Sequence, residues 1–237
     1  MNTDIQASLK AIALLLDYPT EPTHAMLATL HTPLDGICGL DASARDELAL
    51  WLAEQRARDL LERQADYVDT FDRGRRQSLY LFEHLHGESR DRGQAMVELR
   101  KVYRRHGLEV VSSELPDYLP LFLEFCSQLP REESLAWLAD IGHVLQRLYL
   151  RLRERESGYA LLFLALLTLA GLDAEADSLQ REIAGEERDD TPEAIDRVWR
   201  EAPVMFGGGA IPAGCPATRF DRGSESGSVV PQAGGRK

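Results

Sequence analysis

The sequence predicts an all-α protein, a single globular domain of roughly ten helices with a flexible C-terminal tail. Three observations carry this. Apolar residues recur at the 3.6-residue helical spacing over most of the chain, and no segment sustains the alternation of a half-buried strand. Helix start and stop signals punctuate the pattern at ordinary intervals. Hydrophobic residues make up 44% and charged residues 28% of the 237, enough for a substantial core beneath a solvated surface.

Ile5, Leu9, Ile12 and Leu16 form a first helical stripe that stops at Tyr18-Pro19, and a short second helix follows Pro22 as far as Leu30. Asp41 opens the third, with Leu48, Trp51 and Leu52 inward. After a break near Arg56 the pattern resumes through Leu60, Leu61, Tyr67, Val68 and Phe71, and Gly74 separates it from a short piece over Ser78 to Leu85. Ser89 is placed to cap the next helix, Met96, Leu99 and Tyr103 point inward along it, and His106-Gly107 ends it, since glycine readily turns left-handed after a helix. Beyond a helix opened by Asp117, further helices are expected from Arg131 to Glu156, broken at Gly142, then over Gly158 to Ala170, Asp173 to Gly185 and Thr191 to Glu201. Thr191-Pro192-Glu193 combines a capping hydroxyl, proline at the first position and an acid at the positive dipole end.

Past Ala202 the composition turns to Gly207, Gly208, Gly209, Pro212, Gly214, Pro216 and a Ser/Gly-rich end with few core-forming groups. A helical domain over 1–206 and a mobile tail over 207–237 are therefore predicted. Cys215 lies alone in that tail, either reactive if exposed or a bystander.

Composition also excludes function classes. The net charge of −12 argues against nucleic-acid binding, which needs a basic surface. The charge is uneven: Arg73 to Arg105 holds nine basic and four acidic residues, a local +5 that either steers a ligand or is balanced by acids folded against it. The three cysteines form no C-x-x-C pair, which suits a reducing cytoplasm. No secretory leader pattern opens the chain, and the longest apolar run, Tyr159 to Leu172, is 14 residues, short of the roughly 20 that cross a bilayer. It reads as a buried central helix, so no direct membrane insertion is expected.

The most informative segment runs from Glu114 to Phe125. Asp117 is placed to cap a helix beginning at Tyr118, Pro116 keeps Leu115 extended, and Pro120 falls where its missing N–H had no intrahelical partner. At about 100° per residue Tyr118, Leu121, Phe122, Phe125 and Leu129 share one face, with Asp117 and Glu124 along its edge. An apolar stripe beside acids suits a basic amphipathic peptide. On spacing alone the same residues read more readily as a cap and a core-facing stripe.

Catalytic signatures are absent: no G-x-S-x-G, no phosphate-loop or dinucleotide glycines, no H-E-x-x-H. His84 and His86, two apart, point to nearly opposite sides of a helix, so a metal site there would need Cys126 or Glu83 from the tertiary fold. An all-α metal-binding enzyme or sensor built on His84 and His86 is the alternative from another class. A permanent scaffold subunit is the third reading.

The stretches Asp66 to Arg75, Ser78 to Met96 and Glu114 to Glu124, with Asp189-Asp190-Thr191-Pro192, resemble the NarJ-type nitrate reductase assembly chaperones. These belong to the wider redox-enzyme maturation family that includes the TorD and DmsD proteins. Its shared E-x-P-D-[HY] segment is matched by Glu114, Pro116, Asp117 and Tyr118, and the likeness runs from the first helix to about Phe206.

The resemblance implies a cytoplasmic all-helical chaperone without enzymatic activity and without a stably bound cofactor. Such proteins bind the N-terminal segment of the nitrate reductase alpha subunit, hold it open while molybdopterin guanine dinucleotide is inserted, and prevent premature docking on the membrane subunit. Molybdenum cofactor biosynthesis proteins are further expected partners. On this chain the expected peptide contacts are Glu114, Pro116, Asp117, Tyr118, Leu121, Phe122, Glu124 and Phe125. The segment His84, His86, Glu88, Arg90 and Arg92 is a candidate second contact surface or a structural loop.

Overall fold

The computed structural model describes residues 5–37, 39–87, 89, 91–110, 114–174 and 177–199. These all fall in one compact unit, Met1–Arg200; the second unit, Glu201–Lys237, with the expected tail and Cys215, lies outside the described residues. Among the described residues there are twelve α-helices and no strand.

The local signals govern the early elements. Helix α1 spans Ile5–Leu16 and buries the Ile5, Leu9, Ile12 and Leu16 stripe. Helix α2 spans Glu21–Asp35 and opens with a capping box in which Thr20 and Thr23 satisfy each other's N–H groups. It runs beyond Leu30 through Pro33, because Leu30 and Leu34, one turn apart, are both drawn into the core and Ser8 of α1 donates to the Pro33 carbonyl at 2.8 Å. Asp41 and Asp59 cap α3 (Ala42–Ala57) and α4 (Leu60–Tyr67) by accepting the Ala44 and Glu62 N–H groups, so the break near Arg56 is real. The stripe beyond Tyr67 continues as a π turn over Val68–Asp72, an irregularity that periodicity does not announce. Tyr67 and Phe71 both pack on Tyr159 there, at 6.4 and 4.9 Å between ring centroids.

Short α5 (Leu81–His86) leads to α6 (Asp91–Arg105), where the Ser89 hydroxyl accepts the Asp91 N–H. Gly107, at φ +79°, ends α6 as expected: its N–H reaches Arg104 and that of Leu108 reaches the Tyr103 carbonyl. Then follow α7 (Leu119–Cys126), α8 (Arg131–Asp140), α9 (Gly142–Glu154), α10 (Ala160–Ala170), α11 (Asp177–Ala184) and α12 (Pro192–Trp199). The break falls at Ile141, between α8 and α9, and Gly142 opens α9 where a Cβ would overlap Leu172. Thr191 caps α12 through the Ala194 N–H.

Helix α10 is central. Leu162, Phe163, Ala165, Leu166 and Leu167 are wholly buried, and the helix packs against α1, α3, α8 and α9. Among the described residues no helix is long and apolar enough to cross a membrane. Gly158, just before α10, lies against Trp51, whose ring meets Tyr159 edge-on at 5.3 Å. Gly158→Ala is expected to cost about 1–3 kcal/mol by overpacking that ring. Gly93→Ala in α6, where a methyl meets nothing, should instead stabilise by up to about 1 kcal/mol. Paired urea titrations check both signs.

Candidate functional site

Residues 114–129 are tied to the rest of the chain by a short antiparallel bridge between Tyr80 and Tyr118. Leu81 N–H donates to the Asp117 carbonyl at 2.9 Å, and Leu119 N–H donates to that of Leu79 at 2.8 Å. The Tyr103 hydroxyl donates to the Pro116 carbonyl at 2.7 Å. This lashing sets where α7 begins. The helix starts at Leu119, with Pro120 in its second position, and its N-cap Tyr118 makes no side-chain cap.

Asp117 therefore does not cap α7. Its Oδ2 accepts the Phe82 N–H at 3.1 Å and so caps α5, far away in sequence. The residue is 0% exposed and cannot meet a ligand's cation across the surface. Burial pushes its carboxyl above the usual carboxylate range, opposed by the Phe82 N–H and by Arg92, whose Nη2 lies 4.0 Å away.

The aromatic stripe turns mostly inward. Phe122, Phe125 and Leu129 are buried, and Tyr118 is nearly so. Phe125 packs on Tyr103 at 4.6 Å and on Trp137 at 5.8 Å, and Phe122 meets Trp137 at 6.1 Å. These rings fill the interior because α8 and α6 cover the face of α7 that carries them. Of the stripe, Leu121 stays half-exposed, and Glu114 and Glu124 are exposed.

What remains open is a groove between α1 and α7. Ala13, Leu14, Pro120 and Leu121 supply its apolar wall, Tyr118 its floor, and Asp17, Glu114, Glu124 and Lys10 its rim. Its volume is about 150 Å³, which holds a benzene-sized group. The Tyr118 hydroxyl lies 3.1 Å from Asp17 Oδ1 and 2.7 Å from the Tyr67 hydroxyl, which is 3.2 Å from the Leu16 carbonyl, so two phenol protons are shared among three contacts. Burial, then Tyr67 and Asp17, push the Tyr118 phenol far up, so it stays a neutral donor. Tyr80 donates to Glu114 Oε2 at 2.8 Å and fixes that acid at the rim. Asp72 is pushed up by burial and then by Glu114.

Sequence reasoning missed the α1 half: Lys10, Ala13, Leu14 and Asp17. One signal existed. Leu14 is apolar yet lies off the core stripe of α1, three residues from Asp17.

The candidate second contact surface disperses. His84 is mostly buried, its Nε2 2.8 Å from the Ser78 carbonyl, and burial lowers its pKa. His86 lies edge-on to Phe82 at 5.4 Å. Arg92 pairs with Glu83 at 3.3 Å and approaches Asp117. Glu88 and Arg90 lie outside the described residues. Among the described residues no group of three His, Cys, Asp or Glu is placed to hold a metal ion, and Cys126 is wholly buried. Asp189-Asp190 serve as ties: Asp189 accepts the Arg76 N–H at 2.9 Å, and Asp190 pairs with Arg155 at 2.9 Å. A Cβ at Gly74 would fall 2.6 Å from Asp189 Oδ1, so a side chain there would displace that carboxylate.

The family described as nitrate reductase delta subunit matches residues 38–165, which include α5, the bridge and all of α7. The chain belongs to that family. It is 46% identical over 206 residues to the nitrate reductase molybdenum cofactor assembly chaperone NarJ of Escherichia coli K12, covering 84% of each chain. It is 43% identical over 198 residues to a protein of the same strain named "Probable nitrate reductase molybdenum cofactor assembly chaperone NarW", covering 84% of this chain and 83% of that one. The family is one of assembly chaperones, so this delta subunit relative is a chaperone and not a catalyst. An all-α enzyme built on His84 and His86 is thereby set aside.

Proposed function

We propose that this chaperone clasps the N-terminal segment of a nitrate reductase alpha subunit in the groove between α1 and α7. It does so in the cytoplasm, while molybdopterin guanine dinucleotide enters the client, and it delays docking on the membrane subunit. The maturation role is supported by the assembly chaperones to which the chain is similar. The peptide role rests on one observation: an open apolar groove whose rim carries three acids, Asp17, Glu114 and Glu124, against one base, Lys10.

The physics is reversible occupancy. A basic amphipathic segment gains affinity mainly by burying apolar side chains, at about 25 cal/mol per Å². Its Arg or Lys residues meet the exposed Glu114 and Glu124, each pair contributing about 0.2–1 kcal/mol, and so set orientation. The contact needs no cofactor held by the chaperone, and release follows once the folding client withdraws its terminus. In this reading Asp117 and Phe122 position the groove from behind, while Leu121, Glu124, Glu114 and the outer edge of Tyr118 touch the ligand.

Calorimetry with a synthetic peptide copying the client's N-terminal segment, across a salt series, tests this. Affinity is expected to fall as salt rises, and Leu14→Arg, on a half-exposed position, is expected to weaken binding at least about ten-fold. Removal of 207–237 should leave affinity within about two-fold. Binding that ignores both salt and Leu14→Arg, in protein still folded by circular dichroism, would place the peptide elsewhere.

A further inference from the structure

The outward strip of α7 is a ridge with a hollow on each side. Leu121 and Glu124, a turn apart, line the α1 groove on one flank and a second depression of about 160 Å³ on the other. Leu108, Val110, Phe125 and Gln128 bound that second hollow, and Glu109 stands at its edge. Lys10, from α1, leans across the ridge with its ammonium 3.9 Å from Glu124 Oε1, both side chains more than half exposed.

From this geometry we infer that the ligand lies astride the Leu121–Glu124 ridge, one apolar side chain in each hollow, with a ligand base taking the place of Lys10 on Glu124. The inference rests on the peptide reading above and adds its two anchors and an internal competitor. A ridge flanked by two hollows accepts two apolar side chains that straddle it, and Leu121 gives contact area to both. Charge selects the sign of the occupant: Glu109, Glu114, Glu124 and Asp17 surround the two hollows, and Lys10 is the base among these lining residues. Lys10 already occupies the acid at the centre of the ridge, so in the free protein it stands in for the ligand's cation.

Calorimetry on the full chain with the synthetic client peptide reads the outcome. Lys10→Gln is expected to tighten binding about two- to five-fold at low salt, and the gain should vanish at high salt. In a Glu124→Gln background the same change should have no effect, because the competitor has lost its seat. Lys101→Gln, which removes an equal charge from the exposed pair with Glu98 on α6, controls for net charge and should have a smaller effect. Gln128→Trp, which fills the second hollow from its exposed rim, should weaken binding about ten-fold.

Three results overturn the inference. Lys10→Gln weakening binding, or acting equally with and without Glu124, removes the competitor. Gln128→Trp binding normally while Leu14→Arg does not removes the second anchor but leaves the α1 groove reading standing. Normal binding by both variants removes the ridge and the groove reading together.

Discussion

Phe122→Ala is expected to lower stability by about 3–5 kcal/mol while changing peptide affinity less than about two-fold in protein still folded at low temperature. The ring is 2% exposed and is enclosed by Phe125 and Trp137 at 6.3 and 6.1 Å. Truncation removes its burial and leaves a void that α7 and α8, held by the Tyr80–Tyr118 bridge and by Ser134 on the Cys126 carbonyl, cannot close by sliding. For a unit of this size the shift in Tm is about 10 °C or more. Phe122→Leu should recover most of the stability. A large affinity loss in a variant of normal Tm would instead make Phe122 part of the receptor surface, as the helical stripe alone suggests.

Asp117→Ala should cost about 1–3 kcal/mol by leaving the Phe82 N–H at the start of α5 without its cap, whereas Asp117→Asn keeps an acceptor and costs much less. The pH dependence separates the charge from the hydrogen bond. Burial raises the folded-state pKa of Asp117 above the unfolded value. Stability contributed by such a carboxyl is fully present below the unfolded pKa of about 3.9 and is lost as pH rises through the folded value. Asp117→Asn should therefore gain on the native protein as pH rises through that window, while Arg92 keeps its pair with Glu83. Chemical denaturation at a series of pH values checks this. A pH-independent difference would mean that the carboxyl is fully compensated where it sits. Peptide affinity should be kept by Asp117→Asn, because the side chain is inaccessible.

The helices were legible where their signals are local. Asp41, Ser89, Gly107 and Thr191 each act on N–H or carbonyl groups within a few residues, so their effect can be read from spacing alone. The central position of α10 followed from an apolar run with no polar face. The π turn after Tyr67 and the passage of α2 through Pro33 were not legible, since both depend on what packs against them.

By itself the sequence determined an all-helical body, a family resemblance that the comparisons bear out, and the segment around Glu114 to Phe125 as the place to look. Only the tertiary structure decided what that segment does there. Helix α7 is apolar on most sides, with Leu119, Leu123 and Cys126 as buried as Phe122 and Phe125, so its own pattern does not say which strip faces water. The packing of α1, α6 and α8 around it left Leu121 and Glu124 outside and drew the rings in. Asp117 had two helix starts within reach, one adjacent in sequence and one at Phe82. Choosing between them required the Tyr80–Tyr118 bridge, a contact between distant parts of the chain that no local spacing encodes.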